Sequence, residues 1–192
     1  RETLIKCYRL LVPDKPIQVF IFPCFSDFVN KQQEGVCGFV PLSNIIYIFL
    51  HHNATRFEKR LKYTVAHEFY HAVSDKYYKK WNKSILGSLI SEGLANNFRI
   101  MAVKGASTPG LTVLSESQCW KIWPEVKKIL NSTNPKIFQE LFFEGKKYPL
   151  WAGYSLGYQI TKNFLKKNPK MQWIDIIKLS PRKVLNNSDF KV

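Results

Sequence analysis

His67-Glu68-Phe69-Tyr70-His71 lies in a segment of helical pattern that runs from Thr55 to Ser74. Residues four apart on a helix share a face, so the rings of His67 and His71 are expected side by side. Two imidazoles in that relation suit one zinc ion. Glu68 falls about 100° further round the helix, poorly aimed as a ligand but close to a water on such a metal. Zinc lowers the pKa of its water towards ~7, and a carboxylate beside it takes the proton. The pattern uses two of the four histidines in the chain. The plain alternative is a pair of surface histidines on an amphipathic helix.

A catalytic zinc of this kind needs a third protein ligand and one open position. The segment from Ser84 to Met101 predicts a second helix, with Ser84 as N-cap and Leu86, Ile90, Leu94 and Phe98 as its buried stripe. Glu92 interrupts this mostly apolar segment, and a carboxylate near a core stripe is costly unless paired or bound to metal. Residues 72–91 leave room for the first helix to end and a second to return past the metal. Gly93 costs roughly 1 kcal/mol against alanine inside a helix, which a close approach of two helices at the metal explains. Asn96, one turn on from Glu92, either accepts the second N–H of His67 or faces water. Asp75 is expected to end the first helix.

These residues resemble the gluzincin metallopeptidases, which carry H-E-x-x-H on one helix and a glutamate on the next. Glu92-Gly93-Leu94-Ala95-Asn96 is similar to the E-G-x-x-D stretch of the thermolysin-like branch, with asparagine in place of aspartate. The closer resemblance is to the YjaZ-like family of predicted zinc-dependent proteases. It is carried by Lys62 to His71, by Ser91-Glu92-Gly93-Leu94-Ala95 and by Trp151-Ala152-Gly153-Tyr154-Ser155-Leu156-Gly157-Tyr158, with Gly38-Phe39-Val40-Pro41 before a strand as a weaker sign. The resemblance implies a zincin-like fold, Zn²⁺ as cofactor, His67, His71 and Glu92 as ligands, and Glu68 as general base. It also implies that Tyr154 donates its hydroxyl to an oxyanion, with Tyr158 as the runner-up. The bland account of both tyrosines is an aromatic packing stripe. By the same resemblance, strand Ile45–Phe49 lies along the cleft and pairs an extended peptide.

The chain has 192 residues, of which 45% are hydrophobic and 15% aromatic, enough for a real core in a single metallopeptidase-like domain over 1–192. Strands are expected at Ile17–Phe22 and Ile45–Leu50, followed by His51 and His52 as loop histidines. Arg1 to Val12 reads as helix or strand, Lys31 to Gly35 as a polar loop, and Lys104 to Gly110 as a turn region. Further helices are expected over Trp123–Leu130, Pro135–Leu141, Trp151–Lys167 and Trp173–Leu179, with a last turn at Pro181. The expected fold class is therefore α+β. Residues 1–52 form mainly strands and loops in a small N-terminal sheet, residues 53–192 are mainly helical, and the metal lies between the two parts.

No stretch approaches the ~18–20 apolar residues that span a bilayer. The start Arg1-Glu2-Thr3 carries no signal-peptide core, which leaves cytoplasmic and secreted settings both open. Cys7, Cys24, Cys37 and Cys119 lack C-x-x-C spacing, and Cys24 and Cys37 are either a disulfide or free thiols. The formal net charge of +15 favours anionic surfaces, but the lysines, Lys79 and Lys80 among them, are scattered over expected helix ends and turns. No zinc finger, RNA-binding aromatic signature or basic-region helix points to a specific nucleic acid. The expectation is a zinc endopeptidase acting on a peptide or protein. The alternatives are a zinc hydrolase of non-peptide amides or esters, and a non-catalytic basic binding module.

Overall fold

The computed structural model describes residues 1–192 except 56, 79–80, 82, 107–110, 112 and 192. It is α+β, mostly helical, with one three-stranded sheet. Lys79, Lys80 and the end of the expected Lys104–Gly110 turn lie outside the described residues. The chain divides into two compact units: Arg1–Lys76 with Phe98–Pro109, and Tyr77–Asn97 with Gly110–Val192.

In the first unit, α1 (Glu2–Leu10) precedes β1 (Gln18–Cys24), α2 (Asp27–Gln32), β2 (Val36–Leu42) and β3 (Ile45–His51). The sheet order is β1-β3-β2, with β1 parallel and β2 antiparallel to β3. β3 is thus the central strand, flanked on both sides. This overturns the expectation that Ile45–Phe49 pairs a peptide, because its backbone groups already serve β1 and β2. β2 went unread as a strand because Gly38 and Pro41 punctuate it. An edge strand tolerates proline, and the register shifts between Phe39 and Leu42, around Pro41.

Alternation along β3 sends Ile46 and Ile48 fully into the core. Its other face joins Tyr47 and Phe49 to Phe20 and Phe22 of β1 in a run of ring contacts. α3 (Phe57–Tyr78) is tied to the β2–β3 turn by Asn44 N–H donating to Ala72 O at 3.0 Å. Ser43 Oγ donates to Asp75 Oδ2 at 2.8 Å. Asp75 therefore anchors the turn from inside the helix; α3 runs on past it, so it is no terminator. Phe69 of α3 stacks on Phe98 with centroids 5.9 Å apart and rings 5° from parallel.

In the second unit, α4 (Ile85–Ala102) contributes its residues up to Asn97. Ser84 caps it as expected, its Oγ accepting from Gly87 N at 3.1 Å. Leu86, Leu89, Ile90 and Leu94 form the buried stripe. α5 (Glu116–Val126) opens with a reciprocal Ser115–Gln118 capping box. A 3₁₀ turn (Lys127–Ile129), α6 (Pro135–Gln139) and a π-type turn (Glu140–Glu144) follow. α7 (Ala152–Lys167) buries Leu156, Ile160 and Phe164, and α8 (Trp173–Ile176) and α9 (Pro181–Asn186) complete the unit.

α7 crosses α4 backbone to backbone. A β-carbon on Gly93 would meet Gly157 O at 2.1 Å, and one on Gly157 would meet Leu89 O at 2.3 Å. Asn97 Nδ2 fastens the crossing by donating to Gly93 O (3.0 Å), Thr161 Oγ1 (2.9 Å) and Tyr158 O (3.3 Å). The close approach that Gly93 permits is thus to α7, not to the other metal-site helix as expected.

Candidate metal centre

α3 has its first turn at Phe57, so His67 and His71 fall on one face in its middle. Their Nε2 atoms lie 3.1 Å apart, and the ring planes cross at 72°. Zinc–nitrogen bonds of about 2.0–2.1 Å at tetrahedral angles set two ligand nitrogens roughly 3.3 Å apart, so the pair matches one edge of such a site. Among the described residues, His67, His71 and Glu92 are capable of holding a metal ion: one ligand atom of each lies within 4.8 Å of the others. All three are half-buried. Two nitrogens and one carboxylate oxygen are a donor set that zinc accepts and that leaves a position open. The residues present therefore fit zinc.

Glu68 is 9% exposed. It lies against β2: a β-carbon on Gly38 would meet its Cγ at 2.3 Å and its Cδ and Oε1 at 2.7 Å. Arg60, eight residues earlier on α3, is half-buried. Burial pushes its guanidinium below the usual value, while the charges of Glu34, Cys37 and Glu68 act the other way. Its Nε and Nη1 are closed off from solvent without a hydrogen-bond partner. A cavity of about 540 Å³ beside it is lined by Asn30, Glu34, Asn53 and Lys59 among others. Burial, with Cys24 and Glu68 adding to it, raises the Cys37 thiol to about 11. Sequence reasoning did not single out Arg60. Its seven-residue spacing from His67, two helical turns on the same face, was the available signal.

Asn96 is 2% exposed, which removes the alternative that it faces water. Tyr154 is half-buried on α7, its ring edge-on to Phe142 at 5.2 Å and near Phe143 at 6.1 Å. Tyr158, also half-buried, carries Lys162 Nζ over its ring at 5.7 Å. The packing account is thus met in part for Tyr154 by its ring contacts. His51 ends β3 and is 4% exposed, its Nδ1 accepting from Asn53 N at 3.2 Å, so it is a buried strand end rather than a loop histidine. Cys7, Cys24, Cys37 and Cys119 are all free thiols. No helix among the described residues is long and apolar enough to cross a membrane.

Compared with known proteins, the chain matches over residues 2–186 the model of a family described as Predicted Zn-dependent protease (DUF2268). No curated protein and no solved structure matches it. Matched over nearly its whole length, and with two histidines and a glutamate that could together hold a metal ion, this chain belongs to the family of predicted Zn-dependent proteases.

Proposed function

We propose that this protein is a zinc-dependent endopeptidase of zincin-like fold, with His67, His71 and Glu92 as the zinc ligands. The observation that carries the reading is the gathering of those three side chains, one ligand atom of each within 4.8 Å of the rest. Zinc bound there supplies a Lewis acid that lowers the pKa of water and polarises a carbonyl. Glu68 takes the proton from the attacking water at its carboxylate and passes it to the leaving amine. Tyr154 donates its hydroxyl to the developing oxyanion, a contribution of ~3–4 kcal/mol when such a donor is preorganised. Asn96 orients His67 by accepting its second N–H, and Tyr158 stands one turn behind Tyr154. An extended substrate adds its backbone to β2, an edge strand that touches Glu68 through Gly38.

Purified protein should hold one equivalent of zinc, lost in His67→Ala and in Glu92→Ala. Glu68→Gln should keep the zinc and cleave a peptide library about 10²–10⁴-fold more slowly, the span attributed to one general base. A Glu68→Gln variant that cuts as fast as the parent refutes the base assignment. Protein that takes up no zinc, yet binds polyanions with steep salt dependence, refutes the enzyme reading in favour of a basic binding module.

A further inference from the structure

Gly38 stands within β2, opposite Ile48 of β3. Its φ lies outside the left-handed region, so the backbone there accepts alanine without strain. What a side chain there meets first is a single neighbour. The three atoms nearest to a β-carbon at this position all belong to Glu68: Cγ at 2.3 Å, Cδ at 2.7 Å and Oε1 at 2.7 Å. Ordinary carbon–carbon contact is about 3.5–4.0 Å, so the carboxylate arm occupies the volume that a residue other than glycine would fill. Glu68 is a flexible side chain, and the relief of such a clash is rotation of its own χ angles rather than movement of β2 or α3.

We infer that Gly38 is a positioning residue for Glu68: its missing side chain opens the slot that holds the carboxylate against β2. This rests on the proposed role of Glu68 as general base. The same vacancy makes position 38 a control point on the proposed reaction. Gly38→Ala ejects the carboxylate, while His67 and His71 on α3 stay where they are.

Two measurements test this. In kinetics, Gly38→Ala should lower kcat by about 10²-fold or more, towards the Glu68→Gln value, with KM and zinc affinity changed less than about two-fold. In metal-free protein, melting should be followed for Gly38→Ala, Glu68→Ala and the double variant. Gly38→Ala should lower the melting temperature when Glu68 is present and leave it level or raised when Glu68 is alanine. An equal loss in both backgrounds overturns the inference, because the contact is then not with Glu68. If Gly38→Ala does not fold, a folded double variant supports the inference and an unfolded one overturns it. Should Glu68→Gln abolish cleavage while Gly38→Ala keeps full kcat, the inference fails and the peptidase reading stands. Should no variant, parent included, cleave any peptide, that reading fails and the melting cycle alone judges the contact.

Discussion

Gly93→Ala sets two effects of opposite sign against each other. Helix propensity alone favours alanine by about 1 kcal/mol in an interior position. The new β-carbon, however, sits 2.1 Å from Gly157 O and 2.4 Å from its carbonyl carbon. Ordinary carbon–oxygen contact is about 3.3–3.6 Å, so α4 and α7 must part by roughly 1 Å. The obstacle is backbone, which cannot rotate away, so the overpacking cost belongs near the upper end of about 1–3 kcal/mol. Parting also stretches the bonds of Asn97 to Tyr158 O and Thr161 Oγ1, worth about 1 kcal/mol together once weakened. The net is a loss of about 3 kcal/mol, which for a chain of this length is a fall in melting temperature of roughly 6–12 °C. Scanning calorimetry on parent, Gly93→Ala and Gly157→Ala measures it. Gly157→Ala should fall too, because its β-carbon meets Leu89 O at 2.3 Å. A Gly93→Ala variant that melts a few degrees higher than the parent would show that propensity wins, and would refute the backbone crossing.

Asp189 accepts from Lys167 and Asn163, and these bonds hold its carboxyl below the usual carboxylate value. A depressed carboxylate stabilises the fold above its unfolded pKa, and that contribution is lost as pH falls through the folded value. The melting difference between parent and Asp189→Asn should therefore be steady at pH 6–7, begin to shrink as the pH drops below about 4 and disappear below the folded-state value; a difference that does not shrink with falling pH would contradict it. Burial raises the thiols of Cys7 and Cys119 to about 12 and that of Cys37 to about 11, so all three stay protonated at neutral pH. In native protein at pH 8 the buried Cys7 and Cys119 should exchange slowly with an aromatic disulfide reagent and react at once in guanidinium; rapid native labelling of either, mapped by mass spectrometry, would contradict their burial.

The long helices were legible because their periodicity is strong. Leu86, Ile90 and Leu94, or Leu156, Ile160 and Phe164, repeat at four, and Ser84 marks its helix start with a side-chain oxygen. The pairing of His67 with His71 follows from spacing alone, since α3 is regular through it. Glu92 was reachable because a carboxylate in an apolar stripe asks for a partner. β2 was not legible: Gly38 and Pro41 look like breakers, and only tertiary context explains them, one by the arm of Glu68 and the other by an edge position. α2 is short, and its Ser26 cap is too weak a sign inside a polar stretch. Asp75 looked like a helix end because its partner, Ser43, lies far off in the chain. Cys37 was legible only as a possible disulfide partner, because its nearness to Glu68 arises between β2 and α3, where no local pattern reports it.

Strands β2 and β3 are joined by Ser43 and Asn44, with Asn44 in the left-handed conformation at φ 68°. So short a closure has a small entropic cost, and the hairpin assembles as soon as its own residues are available. β1 lies parallel to β3, and bringing it in requires closing the long stretch that carries α2 and the hairpin itself. By loop length alone the hairpin is the cheaper closure and the β1 pairing the costlier one. The bed on which the Glu68 carboxylate rests belongs to the cheaper closure, so that seat depends on the hairpin and not on the costlier pairing with β1.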